Sequence, residues 1–317
     1  MKKFFASFFA AIILIGGVCN AAEVSTIKIQ PRALGLYSHY DITFAQNFQW
    51  PSSRLRMDIL QPFGDGKKYP AVVMIPGGWW LVAYKEAETQ RAVHIAEAGY
   101  VVAMIDYRHV PIAKYKDAIS DVKSAIRYLR AHADDFSIDK NKIAVFGTSA
   151  GGYLAAMTGV TNGLNDFDVG ENLNQSSEVQ AVVDIFGPSD LTKIGADYSA
   201  AAQEPRKSAA APESLFVNGI AGFSGKGENI FSNPETARAS NPINYITEKT
   251  PPFLIMHGNK DITISPSQSK ILHDALIQRG VKSSCYIIDG AGHSDIYWRQ
   301  PEVLRIVIDF LDGVLKN

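Results

Sequence analysis

Read as a pattern of apolar and polar positions, the chain alternates between two periods along most of its length. Short apolar runs rich in β-branched residues recur at 55–60, 71–75, 101–105, 143–146, 179–186, 253–256 and 285–288. Between most of them the period lengthens to that of a helix. Across 113–132, Ala118, Val122, Ala125, Ile126 and Leu129 fall on one stripe, with Lys116, Lys123, Arg127 and Arg130 off it. A second helix is predicted to open at Ser265-Pro266-Ser267-Gln268, where a capping serine, a first-turn proline and a glutamine three residues after the cap precede Ile271, Leu272, Ala275 and Leu276. It stops at Gly280. A last helix starts near Pro301 and carries Leu304, Val307, Ile308 and Leu311 on one face. Near-continuous apolar strands alternating with amphipathic helices predict an α/β fold, a mainly parallel central sheet with helices on both faces. Such sheets place their sites at the carboxyl ends of the strands. The alternation lapses over 191–250, which is expected to form a partial cap over the site rather than a separate domain.

The amino terminus departs from this alternation. Lys2 and Lys3 precede an apolar run over 4–18, and Cys19-Asn20-Ala21 puts small residues where a signal peptidase reads them. Residues 1–21 are therefore expected to be a secretory signal peptide, leaving 22–317 as one domain and directing the mature protein to the periplasm or the medium. The run is shorter than the roughly 20 residues a membrane-spanning helix needs, so no stable membrane insertion is expected after cleavage.

Composition narrows the classes further. A 317-residue chain that is 46% hydrophobic, with 31 Lys+Arg against 32 Asp+Glu, can build a globular core and carries no basic footprint for nucleic acid. Its two cysteines allow at most one disulfide and no cysteine-based zinc site. Once Cys19 leaves with the signal, Cys285 stands alone in a strand-like run and is read as a buried, inert thiol. No metal or cofactor is expected, and oligomeric state is left open.

The candidate chemistry lies at the ends of the predicted strands. Gly147-Thr148-Ser149-Ala150-Gly151 is a G-x-S-x-G that follows the run 143–146 and opens a helix-compatible stretch, the strand–turn–helix setting of a nucleophile elbow. Bulky flanking side chains would collide with the neighbouring strand and helix, and a helix amino terminus behind Ser149 favours developing negative charge. A serine hydroxyl needs a base, and the base needs a third group to fix its tautomer. His293 sits in the loop Asp289-Gly290-Ala291-Gly292-His293 between a strand and the last helix, whereas His94, His132 and His273 fall in or at the ends of helices. His257 is read as shaping the turn that leads to Asp261. Asp261 lies just past the run 253–256, and the order Ser149, Asp261, His293 suits this topology. Asp289 and Asp295 compete as the acid, with Asp295 read alternatively as a helix cap. Backbone amides of Ala150 and of the loop Pro76-Gly77-Gly78-Trp79-Trp80 are positioned to form an oxyanion hole.

Taken together, Pro76-Gly77-Gly78-Trp79-Trp80, Asp106-Tyr107-Arg108, Gly147-Thr148-Ser149-Ala150-Gly151-Gly152, Phe186-Gly187-Pro188-Ser189-Asp190-Leu191, His257-Gly258-Asn259-Lys260-Asp261 and Gly292-His293 resemble the α/β-hydrolase superfamily. Within it the chain is most similar to secreted carboxylesterases related to feruloyl and acetyl esterases and to the hormone-sensitive lipase group. The resemblance implies Ser149 as nucleophile, Asp261 as acid, His293 as base, and the amides of Gly78, Trp79 and Ala150 as the oxyanion hole. It implies a serine esterase acting on a small-molecule ester; Trp79 and Trp80 are read as lining an aromatic-friendly pocket, with the alternative that one of them belongs to the core. Pro76 stands where the family usually has a bracing histidine, so the loop's shape is expected to come from Pro76. Two other readings keep the same residues: an amidase or peptidase of formamidase or prolyl-oligopeptidase type, and a non-catalytic hydrolase-like binding protein.

Overall fold

A computed structural model describes residues 28, 35–47, 53–63 and 65–317. The signal peptide expected over 1–21 lies outside the described residues. Among the described residues the apolar runs pair with one further strand into one eight-stranded sheet: β1 (Gly35–Asn47), β2 (Ser53–Phe63), β3 (Tyr69–Ile75), β4 (Val101–Ile105), β5 (Ile138–Thr148), β6 (Ala181–Ile185), β7 (Phe253–Gly258) and β8 (Ser283–Ile288), in the order β1-β2-β4-β3-β5-β6-β7-β8. The pairs β1·β2 and β2·β4 are antiparallel, and every other pair is parallel. Eight α-helices accompany it among the described residues: α1 (Thr89–Glu97), α2 (Tyr115–Ala131), α3 (Ala150–Val160), α4 (Ala200–Gln203), α5 (Pro212–Asn218), α6 (Pro234–Ala239), α7 (Ser267–Gln278) and α8 (Pro301–Leu315). The side-chain period of two divides each central strand between two cores. On one face Val73 and Ile75 join Ile126, Leu154, Met157 and Leu272 from α2, α3 and α7. On the other, Val72 and Met74 join Ile95, Val307 and Leu311 from α1 and α8. Among the described residues no helix is long and apolar enough to cross a membrane.

The edges of the sheet depart from the sequence pattern. β1 has no apolar run: Tyr37 and Tyr40 are exposed, Phe44 is buried, and two register shifts interrupt its pairing with β2. Its residues pair as an edge strand through backbone hydrogen bonds, which hydrophobic periodicity does not report. At the other edge, Tyr286 and Ile287 of β8 face solvent and Cys285 is only half-buried, so the expectation of a buried core thiol is corrected. Burial still raises its pKa, which keeps the thiol protonated.

Three polar positions that the sequence pattern places outside the core are buried. The basic residues off the apolar stripe of α2 do not all face solvent. Lys123 and Arg127 are buried, and their head groups donate to the carbonyls of Thr161, Leu164, Val169 and Glu171, tying residues 161–171 down over the helix. Gln268, expected to close a capping box, is also buried. Its side chain accepts from the amides of Ser189 and Asp190 and donates to the Lys193 carbonyl, fixing the loop after β6. The insertion over 191–250 leaves β6 at its carboxyl end and returns at β7, and it contains α4, α5, α6 and short 3-10 turns.

One buried carboxyl links the sheet to the loop beyond it. Asp184 on β6 accepts a hydrogen bond from the Gly187 amide at 2.9 Å through Oδ1, while Oδ2 has no partner. Burial pushes its pKa up to about 7, despite the opposing effects of that hydrogen bond and of His257. The folded state therefore retains this proton well above the ordinary carboxyl range near 4. Its contribution to stability is full in acid and is lost as the pH rises through about 7. Asp184→Asn keeps an acceptor for Gly187 and cannot ionise. The fall in Tm between about pH 5 and about pH 8 should be smaller in this variant than in the wild type by scanning calorimetry, and equal falls would refute the assignment.

Candidate active site

The turn after β5 leaves no room for side chains. A Cβ on Gly147 would stand 2.0 Å from the Gly151 carbonyl oxygen, and one on Gly151 would stand 2.1 Å from that of Ile75. Between them Ser149 adopts φ 55° and ψ −119°, a strained conformation for a residue with a Cβ. Its amide donates to the Ile185 carbonyl at 2.9 Å, which ties the turn to β6. The strain lifts the serine hydroxyl out of the α3 helix that begins at Ala150.

That hydroxyl meets the two residues carried by the distant loops. Ser149 Oγ donates to His293 Nε2 at 2.9 Å, and His293 Nδ1 donates to Asp261 Oδ2 at 2.7 Å. A carboxylate cannot donate, so the proton on His293 is fixed at Nδ1 and Nε2 is left as the acceptor. The His293 loop is braced on both sides: Trp298 Nε1 donates to the Gly292 carbonyl, Asp295 accepts from the Gly292 amide, and the Phe186 ring lies 4.6 Å from the imidazole. Asp295 also accepts from the Tyr297 amide, and Asp289 accepts from Asn259, so neither competing acid faces His293. Of the remaining histidines, His39, His94, His109, His132 and His273 each find a partner elsewhere.

His257 does more than shape a turn. Fully buried at the end of β7, it donates through Nε2 to Asp261 Oδ2 at 3.1 Å and to the Ile264 carbonyl, while Nδ1 accepts from Ser269 Oγ. Asp261 Oδ1 takes the amides of Thr263 and Ile264 at 2.7 and 3.0 Å. Four hydrogen bonds thus fill the carboxylate's acceptor sites. Burial by itself would raise the Asp261 pKa, but the hydrogen bonds from His257 and His293, the charge of His293 and the Ile264 amide hold it far below the ordinary carboxyl range. The acid therefore stays ionised across the pH range in which an imidazole titrates. The signal in the sequence was the four-residue spacing of His257 and Asp261, which did not reveal a shared carboxylate oxygen.

The loop after β3 runs beside Ser149, since a Cβ on Gly77 would stand 3.1 Å from Ser149 Cβ. Gly78, Trp79 and Trp80 all have positive φ, at 136°, 57° and 58°. The amides of Gly78, Trp79 and Ala150 donate to no group among the described residues. Pro76 does not hold this shape alone. Tyr107 of the Asp106-Tyr107-Arg108 motif donates its hydroxyl to the Pro76 carbonyl at 3.1 Å, and Trp80 Nε1 donates to the Ala150 carbonyl at 3.2 Å. Trp80 is buried and stacks on Phe216 with centroids 4.6 Å apart, so it belongs to the core and not to a substrate pocket. Trp79 is partly exposed, with the Arg206 guanidinium 5.6 Å over its ring. Among the described residues no cluster of three or more His, Cys, Asp or Glu could hold a metal.

The arrangement can abstract a proton from Ser149, hold it on an imidazole and stabilise the resulting charge with a buried carboxylate. His257 enters this as a positioning residue. His257→Ala should lower kcat for p-nitrophenyl acetate by about 10- to 100-fold with little change in KM, and His257→Gln, which can still donate to Asp261, should recover part of it. Counting folded sites with a fluorophosphonate probe separates this effect from loss of fold, and an unchanged kcat per folded site would refute it.

Known proteins resemble this chain in sequence and in structure. Esterase LipC of Mycobacterium tuberculosis is 33% identical over 232 residues, which are 72% of this chain and 53% of that protein. A truncated carbohydrate esterase from gut microbiota is similar in structure with a TM-score of 0.76 at 26% identity, over 90% of this chain and 98% of that one. A bifunctional GH43-CE protein of Bacteroides eggerthii gives 0.74 at 30% identity, over 87% of this chain and 38% of that one. The chain spans about half the length of the curated relatives it matches. The sequence profile of the BD-FAE family matches residues 57–276, from within β2 to near the end of α7, and the chain belongs to this family of α/β-hydrolases.

Proposed function

We propose that the protein is an exported serine carboxylesterase that hydrolyses small acyl or aryl esters, of acetyl or feruloyl type, through an acyl-enzyme. The observation that carries this reading is the unbroken hydrogen-bond chain from Ser149 Oγ through His293 to Asp261. Ser149 Oγ attacks the ester carbonyl carbon while His293 Nε2 takes its proton. Asp261 stabilises the imidazolium and stays ionised, as its lowered pKa requires. The carbonyl oxygen, now negative, is met by the amides of Gly78, Trp79 and Ala150. The tetrahedral intermediate collapses as His293 returns the proton to the departing alkoxide oxygen. Water then adds to the acyl-enzyme with His293 again as base, releasing the acid and regenerating Ser149.

The esterase names of LipC and of the structural relatives support ester over amide cleavage. Export rests on the signal-like pattern over 1–21. Ser149→Ala should lower kcat for p-nitrophenyl acetate by about 10⁴-fold or more and abolish labelling by a fluorophosphonate. Wild-type turnover in a folded Ser149→Ala protein would overturn the reading.

A further inference from the structure

The two halves of the site are carried by different loops, the amides by the loop after β3 and the carboxylate by the loop after β7. One side chain of the insertion between β6 and β7 touches both. The Arg206 guanidinium lies 5.6 Å over the Trp79 ring, and its Nη2 donates to the carbonyl of Thr263, whose own amide donates to Asp261 Oδ1. Its Nη1 reaches Glu213 Oε1 on α5 at 3.4 Å. A face and two nitrogens of one planar group are thus used at once, which the point charge of a lysine could not do.

Trp79 is where the loop after β3 needs such a brace. Gly78 takes its positive φ without a Cβ to clash, and Trp80, at φ 58°, is held by its stack on Phe216 and its hydrogen bond to Ala150. Trp79 has φ 57° and a ring that is not buried. A strained conformation of this kind persists only where its surroundings over-determine it. The cation on the face of the Trp79 ring supplies that constraint. Arg206 is itself confined: its side chain is 18% exposed, and a Cβ on Gly195 would stand 3.0 Å from its Nε. Glu213 is buried and meets Arg206 through one oxygen only, Oε2 having no partner. An ion pair so incompletely satisfied is a poor source of stability, and apolar residues would serve the core as well. It does hold a guanidinium in place between the two loops.

We propose that Arg206 is a positioning residue, which locks the Trp79 amide and the Asp261 carboxylate into one geometry around Ser149. This rests on the esterase reading above. Its action is indirect: Arg206 reaches the reacting atoms through the Trp79 ring and the Thr263 peptide.

The test measures kcat and KM for p-nitrophenyl acetate, per site labelled to completion with a fluorophosphonate. Arg206→Ala should lower kcat by about 10- to 100-fold with KM within about twofold, and Arg206→Lys should not recover it. Trp79→Leu should also lower kcat, and adding it to Arg206→Ala should cost little more, because both remove the same contact. Trp79 and Arg206 line a cavity of about 510 Å³, through which added methylguanidinium should reach the truncated site and raise the kcat of Arg206→Ala several-fold. Should Arg206→Ala leave Glu213 too destabilising for the protein to be recovered, Arg206→Met/Glu213→Leu removes both charges and should show the same loss of kcat. Wild-type kcat in a recovered Arg206 variant, losses that multiply in the Trp79 double variant, or no gain from methylguanidinium would overturn the proposal while leaving the esterase reading intact. A wild type that does not turn over p-nitrophenyl acetate overturns both.

Discussion

Everything at the carboxyl end of the sheet depends on how closely β3, β5, β6 and α3 approach one another around Ser149. Gly147 and Gly151 sit where a methyl group would stand within about 2 Å of backbone oxygen, and a Cβ on Gly152 would stand 2.3 Å from Asp184 Oδ1. The absence of a Cβ at these positions permits the sharp turn, in which Ser149 takes its positive-φ conformation. The same approach brings the Pro76–Trp80 loop alongside Ser149, where Trp80 clasps the first residue of α3. The amides beside Ser149 are thus a consequence of packing in the layer beneath them, which places them before any substrate arrives.

The second half of the site is held by saturation rather than by crowding. Asp261 has two imidazoles on one oxygen and two amides on the other, so its carboxylate is charged, oriented and without spare acceptor capacity. His293 is the more exposed partner, with its loop pinned by Trp298 and its ring against Phe186. His257 is the buried one, anchored through Ser269 to α7. A carboxylate fixed from below can orient a base above it without moving when that base gains charge.

The insertion between β6 and β7 is fastened to the acid's loop as well. Tyr198 donates to the Asp261 carbonyl, Arg206 to the Thr263 carbonyl, and Asp197 accepts from Ser265 and Ser267. The wall of the cavity beside Trp79 is therefore continuous with the support of Asp261.

Much of this was legible in the chain. The near-continuous apolar runs located β2 to β8, though β8 is an exposed edge and not a buried strand, because central strands are buried on both faces, and the 3.6-residue stripes located α2, α7 and α8, which bury one face against the sheet. Turn chemistry singled out Ser149, and position at strand ends singled out Asp261 and His293. Three kinds of fact were not legible. β1 is made by backbone pairing at an edge, which leaves no hydrophobic period. Trp79 and Trp80 are adjacent and chemically alike, and only the fold decides that one ring meets a cavity while the other stacks on Phe216. His257 acquires its contact to the Asp261 carboxylate only when the chain folds back around the end of β7, and its anchor on Ser269 lies in the next helix. The sequence by itself determined which residues could do chemistry and at which strand ends they lie, since spacing and turn composition are local. Only the tertiary structure decided which polar atoms are paired, because hydrogen bonding is settled by distances between loops that the chain separates by many residues.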